Sequence, residues 1–554
     1  MSDPKAAVLL SDAFRALQAG DARRALECAR RAADADPRSA PPHLAAGLAH
    51  EALGASEAAL AEYRRALELD RGFVPAHFAI GLQHFARGEW REAASAFTTV
   101  VRAEPANVEA LVNLGQALAQ AGGHASGEEA LRRAVSLQPR FAAAHHALGW
   151  VLRARGRTAD AVASLREALA LDGRDAGWHA DLVNALLDLR RVDDAQAAAT
   201  EGLRAHPGDF ALTRLAGQTT FLLGDSALAA DLLGDCAAHD PNDAAAAMLL
   251  AQVELLLGRW QSGWTHYALR DQRRRYEALR AEAGRDYRVP ALDAIAGKRV
   301  TLVAEQGLGD VLFFLRFARE LQMAGVELEF AGEARLPPLV ERTRLFVELR
   351  ASTLEGEARV ELPILVGDLP LVSRSPDAPF PPSLEIIPQA ARVREWSKRL
   401  EAAGPRPYIG VMWRAGTPSD VLAHGLYKTL PIADLFAALR PLGGTVVALQ
   451  RGIRAGELDE AAAALGRTVH DFSRANDDLE DALALVRLLD RHVAVSNTNM
   501  HLAAAAGATA DVLVPYPPEW RWRASGESPW FPGFRVHRQS RDFEWSRALA
   551  ALTP

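Results

Sequence analysis

The sequence predicts an all-α repeat superhelix followed by an α/β region of two lobes, each built on a parallel sheet. Three observations carry this. Proline, glycine and alanine recur on a 34-residue period through the first half. The apolar pattern then changes to short strands alternating with helices. A proline-rich segment, residues 374–388, divides that alternation into two runs. The reading places the solenoid at 6–275, the first lobe at 290–380 and the second at 381–554. At 554 residues the chain has room for three or four domains. A composition of 49% hydrophobic and 24% charged residues is that of globular protein, excluding a disordered or fibrous chain. The net charge of −7 gives no reason to expect a nucleic-acid partner or an anionic membrane surface. Two cysteines, Cys28 and Cys236, exclude a disulfide scaffold or a cysteine-rich zinc module and suit a reducing compartment. With no signal-like N-terminus and no apolar run of about 18 residues, a cytoplasmic protein without a membrane span is expected.

The period is set by Pro37, Pro105, Pro139, Pro207 and Pro241, with Gly47, Gly81, Gly115, Gly149 and Gly217, and Ala25, Ala59, Ala93, Ala161, Ala195 and Ala229. Small residues let two helices approach closely, and the proline stops the second helix. The stretch "AHFAIGLQHFARGEWREAASAFTTVVRAEP" shows the pattern in full, with Phe97 at the bulky position of the second helix. These residues and spacings resemble tetratricopeptide repeats, about seven between residues 6 and 243. A weaker eighth unit around "LLLGRWQSGWTHYALR" is expected to cap the stack. Such a solenoid presents a long concave face. Asn113, His146, Trp150, Asn184 and Gln218 are placed where they could line it. Peptide or protein binding is one reading of this half, and a spacer or dimerisation arm the other. Cys28 and Cys236, about six repeats apart, are expected in the core rather than bridged.

In the second half, "RVTLVAEQGLGDVLFFLRFARELQMAG" reads as strand, glycine-rich turn and helix, with further strands in "VELEFAG" and "ARVELPILVGDLP". Beyond the proline-rich segment, "YIGVMW", "TVVALQ", "HVAVSN" and "ADVLVP" are strands between helices. Ligands of parallel sheets bind beyond the carboxyl ends of the strands, so the loops there hold the candidates. In "EQGLGD", Gly307 and Gly309 permit a tight turn, and Asp310 opens the next helix as N-cap or base. In "VSNTNMHLAAAAG", Ser496, Asn497, Thr498, Asn499 and His501 lie at a strand-to-helix turn suited to a diphosphate or to ordinary capping. Lys428 in "LYKTLP" is one of only four lysines in the chain and makes a point charge for a leaving phosphate. Trp413, Tyr516 and Trp520, with Trp522 and Trp530 nearby, offer rings for stacking on a base or sugar, or for local core. The acidic run "NDDLEDA" reads as a helix start. No HExxH, paired CxxC or G-x-S-x-G occurs, so zinc-hydrolase and serine-hydrolase chemistry have no local support.

Together, "AEQGLGDVLFFLRF", "NTNMHLAAAAG" and "PPEWRW" with "SPWFPGFRVHRQ" resemble bacterial glycosyltransferases of the two-lobed GT-B fold, the heptosyltransferase-like family 9. With the repeats, the whole chain resembles bacterial tetratricopeptide-repeat glycosyltransferases, and in architecture the protein O-linked N-acetylglucosamine transferases and repeat-containing flagellin glycosyltransferases. The resemblance implies Asp310 as the base that deprotonates the acceptor hydroxyl, Lys428 as a donor-phosphate ligand and His501 as a diphosphate contact. The sequence departs from the family at Ser496, where aspartate is usual and touches the donor sugar, and at Asn497, where threonine is usual. The implied activity is a metal-independent transfer from a nucleotide-sugar, inverting if Asp310 acts directly, with no cofactor. The implied acceptor is a protein, flagellin among the candidates, held on the concave face of the repeats. A non-catalytic scaffold and a polysaccharide or lipid-linked acceptor are the alternatives.

Overall fold

The computed structural model describes residues 4–372, 380–415 and 428–553. Part of the proline-rich segment (374–379) and Leu426 and Tyr427 of "LYKTLP" therefore lie outside the described residues. The chain divides into two compact units, Met1–Leu212 and Thr213–Pro554.

The first unit is a row of antiparallel helix pairs: Pro4–Gln18 with Ala22–Ala35, Pro41–Ala52 with Ser56–Leu69, Val74–Ala86 with Trp90–Ala103, Val108–Gln120 with His124–Leu137, Ala142–Ala154 with Thr158–Leu171, and Ala176–Asp188 with Val192–Ala205. The glycine period has a steric origin. A Cβ on Gly81 would lie 2.7 Å from the Phe97 ring, and one on Gly149 would lie 2.7 Å from Leu165, so the bulky residue of the second helix fills the space that glycine leaves. The sixth pair inverts the rule, with Val183 at the glycine register and Ala199 at the bulky one, both fully buried. It also departs at its turn. Gly20, Gly54, Gly88, Gly122 and Gly156 take left-handed backbone there, whereas the sixth turn uses Arg190 at φ 56°.

The second unit carries two more helix pairs, Phe210–Leu222 (whose first residues belong to the first unit) with Ser226–His239, and Ala244–Leu257 with Trp260–Tyr267. Two parallel sheets follow. The first contains β1 (Arg299–Val303), β2 (Glu327–Gly332), β3 (Phe346–Ala351) and β4 (Pro363–Leu365) in the order β3-β2-β1-β4. The second contains β5 (Tyr408–Met412), β6 (Thr445–Ala448), β7 (Val469–Asp471), β8 (Arg491–Val495), β9 (Asp511–Val514) and β10 (Arg535–Arg538) in the order β10-β9-β8-β5-β6-β7. The second sheet thus has the doubly wound dinucleotide-fold order, with its switch point between β5 and β8. The buried runs of β5, β6, β8 and β9 are mainly apolar on both faces, as helices on both sides of a parallel sheet require, with Thr445, His492 and Asp511 as buried polar members.

A buried ionic cluster ties the last repeat pair to the first sheet. Arg270, three residues beyond Tyr267, donates to Glu305 at 2.5 and 3.1 Å and to Asp368 at 2.7 Å. Tyr287 donates to the other Asp368 oxygen at 2.6 Å. Glu305 and Asp368 sit just past β1 and β4, beside the switch point of the first sheet. Burial, with Asp368 beside it, lifts the Glu305 carboxyl above its ordinary range against the pull of Arg270. No described helix is long and apolar enough to cross a membrane.

Candidate active site

A cavity of about 400 Å3 lies between the loops that leave the carboxyl ends of the two sheets. One wall comes from the first sheet. Beyond β1 the chain turns at Gly307 into the helix Leu308–Phe314, whose first turn carries Asp310. The other wall comes from the second sheet, where Asn497 caps the helix Thr498–Ala505 by accepting from the Asn499 N–H at 2.9 Å. The two walls touch. A Cβ on Gly309 would lie 2.9 Å from the His501 ring and 3.2 Å from the Thr498 backbone, so this glycine permits the approach of the two helices. Gly307 faces more open space, with only the Asp310 carboxylate near, 3.7 Å from such a Cβ.

Gly307, Gly309, Asp310, Lys428, Ser496, Asn497, Thr498 and His501 therefore share one cavity. Asn499 does not line it. It is buried, and its amide nitrogen lacks a partner among the described residues. The aromatic expectations need correction. Trp413 is fully buried beneath the helix Ile432–Leu439 against Phe436, so it has no free face for a base or sugar. Trp520 is wedged among Trp264, Phe313 and Trp530 at 5.1 to 5.8 Å, behind the cavity wall. Tyr516 packs on Phe543 and is not among the cavity residues. These rings make core because each has a large apolar area to bury and packs edge-on against its neighbours.

Two charged residues of this cavity, Glu519 and Arg521, escape a reading that looks at "PPEWRW" for its rings. Glu519 is buried, pairs with Lys428 and accepts from Ser496 Oγ at 3.3 Å. Burial alone would raise its carboxyl, yet Lys428 and Arg521 hold it below the ordinary glutamate range, so it is ionised. Arg521 donates to Asp310 Oδ1 at 2.5 Å and lies 3.7 Å from Glu519. Its guanidinium stacks over Phe313 and Trp520 at 4.7 and 4.4 Å. Burial, reinforced by the nearby cations Arg521, Arg316 and Lys428, holds the His501 imidazole well below its ordinary range. His501 is thus a neutral hydrogen-bonding ring at pH 7. Among the described residues no three His, Cys, Asp or Glu side chains are grouped as a metal site would need.

Tetratricopeptide-repeat family models match residues 13–72, 78–135 and 120–176, and a second such model matches 152–218. A curated relative, Protein FlbA of Caulobacter vibrioides, is 28% identical over 327 residues, covering 54% of this chain. The chain spans about half, 53%, of that relative's length. Among solved structures, pilF of Pseudomonas aeruginosa is 18% identical, covering 39% of this chain and 99% of its own, with a TM-score of 0.36. A MamA fragment from Desulfovibrio magneticus is 23% identical, covering 31% of this chain and 97% of its own, with a TM-score of 0.29. The N-terminal part of the chain, to about residue 220, is built of tetratricopeptide repeats, and an α/β region of parallel sheets follows it.

Proposed function

We propose that the chain is a glycosyltransferase of GT-B type, moving a sugar from a nucleotide-sugar donor to a hydroxyl of a protein acceptor recruited by the repeats. The observation that supports this reading is one cavity with a carboxylate supplied by the first sheet, at Asp310, and basic and hydrogen-bonding groups by the second, at Lys428, Arg521, Thr498 and His501. In a single displacement, Asp310 takes the proton of the acceptor hydroxyl and the acceptor oxygen bonds to the anomeric carbon. The bond from that carbon to the phosphate oxygen breaks, and its electron pair leaves on the nucleoside diphosphate. Lys428 and Arg521 supply positive charge where the leaving phosphate gains negative charge, a service that a divalent ion performs elsewhere. Neutral His501 adds a hydrogen bond. Glu519, joined to Ser496, restores a carboxylate beside the position where the resembling family carries aspartate.

Tetratricopeptide repeats commonly bind peptides or proteins, which fits acceptor recruitment. A second reading, a scaffold without catalysis, draws on one observation: the charges of the cavity are paired with each other, Lys428 with Glu519 and Arg521 with Asp310. Calorimetric titration with UDP, GDP, ADP and CMP separates the two. The transferase binds one of them. Asp310→Ala retains that binding while transfer to a protein acceptor, flagellin included in the panel, falls at least about a hundredfold. Failure of every nucleotide to bind establishes the scaffold, and normal turnover in Asp310→Ala removes the base assignment.

A further inference from the structure

Asp310 and Arg521 lie 211 positions apart in sequence and on opposite walls of the cavity, yet they form a direct ion pair at 2.5 Å. The Asp310 side chain is 38% exposed and Arg521 only 11%. The guanidinium carbon lies 4.7 Å from the Phe313 ring centroid and 4.4 Å from that of Trp520, two rings 78° apart, so apolar contact as well as the carboxylate holds it in place. It also has unspent capacity. Its Nε is buried without a partner among the described residues, and Glu519 is a loose neighbour at 3.7 Å. A planar fork in a cavity shared with Lys428 and the Thr498 turn suits bidentate contact with a phosphate group once it turns from Asp310. A base, however, must offer a lone pair to the acceptor proton, and one Asp310 oxygen is engaged by this guanidinium.

We propose that Arg521 is a switch between the two substrates. In the empty cavity it holds Asp310 by one oxygen, and a donor diphosphate draws it away, so that both Asp310 oxygens are open to the acceptor proton only once the donor is seated. This rests on the transferase reading of the cavity. It makes Arg521 a donor ligand, Asp310 its competitor for the same N–H groups, and the order of binding donor first. Water or acceptor arriving early meets a base that is still engaged, which limits both unproductive acceptor binding and donor hydrolysis.

Competition gives a sign that a plain catalytic pair does not. Removing Asp310 relieves the guanidinium of its partner, so Asp310→Ala should bind the cognate nucleoside diphosphate, and inorganic pyrophosphate, two- to tenfold more tightly than the intact chain. Arg521→Ala should bind both at least tenfold more weakly. With Arg521 already replaced by Ala, Asp310→Ala should have no further effect, whereas simple repulsion between Asp310 and phosphate would persist in that background. Calorimetry on the full chain reads all three. Unchanged or weaker binding by Asp310→Ala overturns the switch, as does wild-type affinity in Arg521→Ala. If Arg521→Ala does not fold, as judged by its thermal melt, Arg521→Gln takes its place both alone and in the double variant. Nucleotide binding and sugar transfer by the intact chain, with nucleotide affinity unchanged in either variant, would sink the switch and leave the transferase reading standing. No binding of any of the four nucleotides or of pyrophosphate to the intact chain overturns both.

Discussion

His492 sets a pH dependence of stability that is separable from the chemistry of the cavity. It lies inside β8, 2% exposed, with neither ring nitrogen hydrogen-bonded among the described residues. Burial pulls its pKa down to about 4, against a small opposing pull from Asp511. An unfolded chain takes up a proton here near pH 6.5, whereas the folded chain refuses it until about pH 4. The contribution is present above about 6.5 and is lost as the pH falls towards 4, by about 3 kcal/mol for a shift of this size. His501 acts in the same direction. Asp511, held down to about 2 by His537, Arg491 and Arg535 despite its burial, matters only in stronger acid. His492→Leu should therefore show a shallower loss of stability between pH 6.5 and 4 than the unaltered chain, measured by urea midpoints across that range. An identical pH profile would contradict the account. Residues of this kind are not legible in sequence, because "HVAV" reads as a strand whether or not its histidine finds a partner. Asp310 and His501 were legible because each belongs to a local strand–turn–helix pattern, and Lys428 because lysine is so rare in the chain. Arg521 was not, since its significance lies in a carboxylate on the other sheet.

Among elements, the strands that the pattern missed were the exposed ones. β3, β7 and β10 are edge strands with partly exposed, polar sequences, whereas the named strands are largely buried, β4 at the remaining edge included. An edge strand avoids apolar alternation because unpaired edges invite aggregation, so it loses the signal by which strands are recognised. The repeats were legible for the opposite reason, since one steric rule recurs every 34 residues. Their exception makes a test. In the sixth pair the volumes of Val183 and Ala199 are exchanged relative to Gly149 and Leu165. Val183→Gly leaves a void in a helix and should cost about 2–4 kcal/mol. Ala199→Leu overfills the same space and should cost about 1–3 kcal/mol. The double variant recreates the ordinary pairing and should be at least about 1 kcal/mol more stable than the two losses added together. Chemical unfolding followed by circular dichroism gives the three values. Strict additivity would mean that the two side chains do not share the pocket that their register assigns them.

At the scale of the molecule, the division that matters for function falls inside the repeats. The last two helix pairs cluster with the sheets, and Arg270 shows how the later of them is fastened to the first sheet. The motif "AEQGLGD" conceals this, because Glu305 belongs to the fastening while Asp310, five residues on, belongs to the cavity. Gly367 completes the joint: a Cβ there would lie 2.6 Å from Glu305 and 2.8 Å from the Arg270 guanidinium. One buried cation balances two buried carboxylates, with Arg273 3.5 Å from Asp368 as a further, partly exposed partner. Removing one member of such a cluster leaves charge buried and unpaired, at a cost of about 3–5 kcal/mol, whereas removing all the charges together is far less costly. Arg270→Met should accordingly lower the stability of the second unit by about that amount. Adding Glu305→Gln and Asp368→Asn to Arg270→Met should recover at least half of the loss. Tryptophan fluorescence during guanidinium unfolding is a fitting probe, since most of the 11 tryptophans lie beyond residue 212. Near-native stability in Arg270→Met would show that the ionic joint contributes little and that apolar packing of Trp264 and Tyr267 on Phe314 holds the last repeat pair in place.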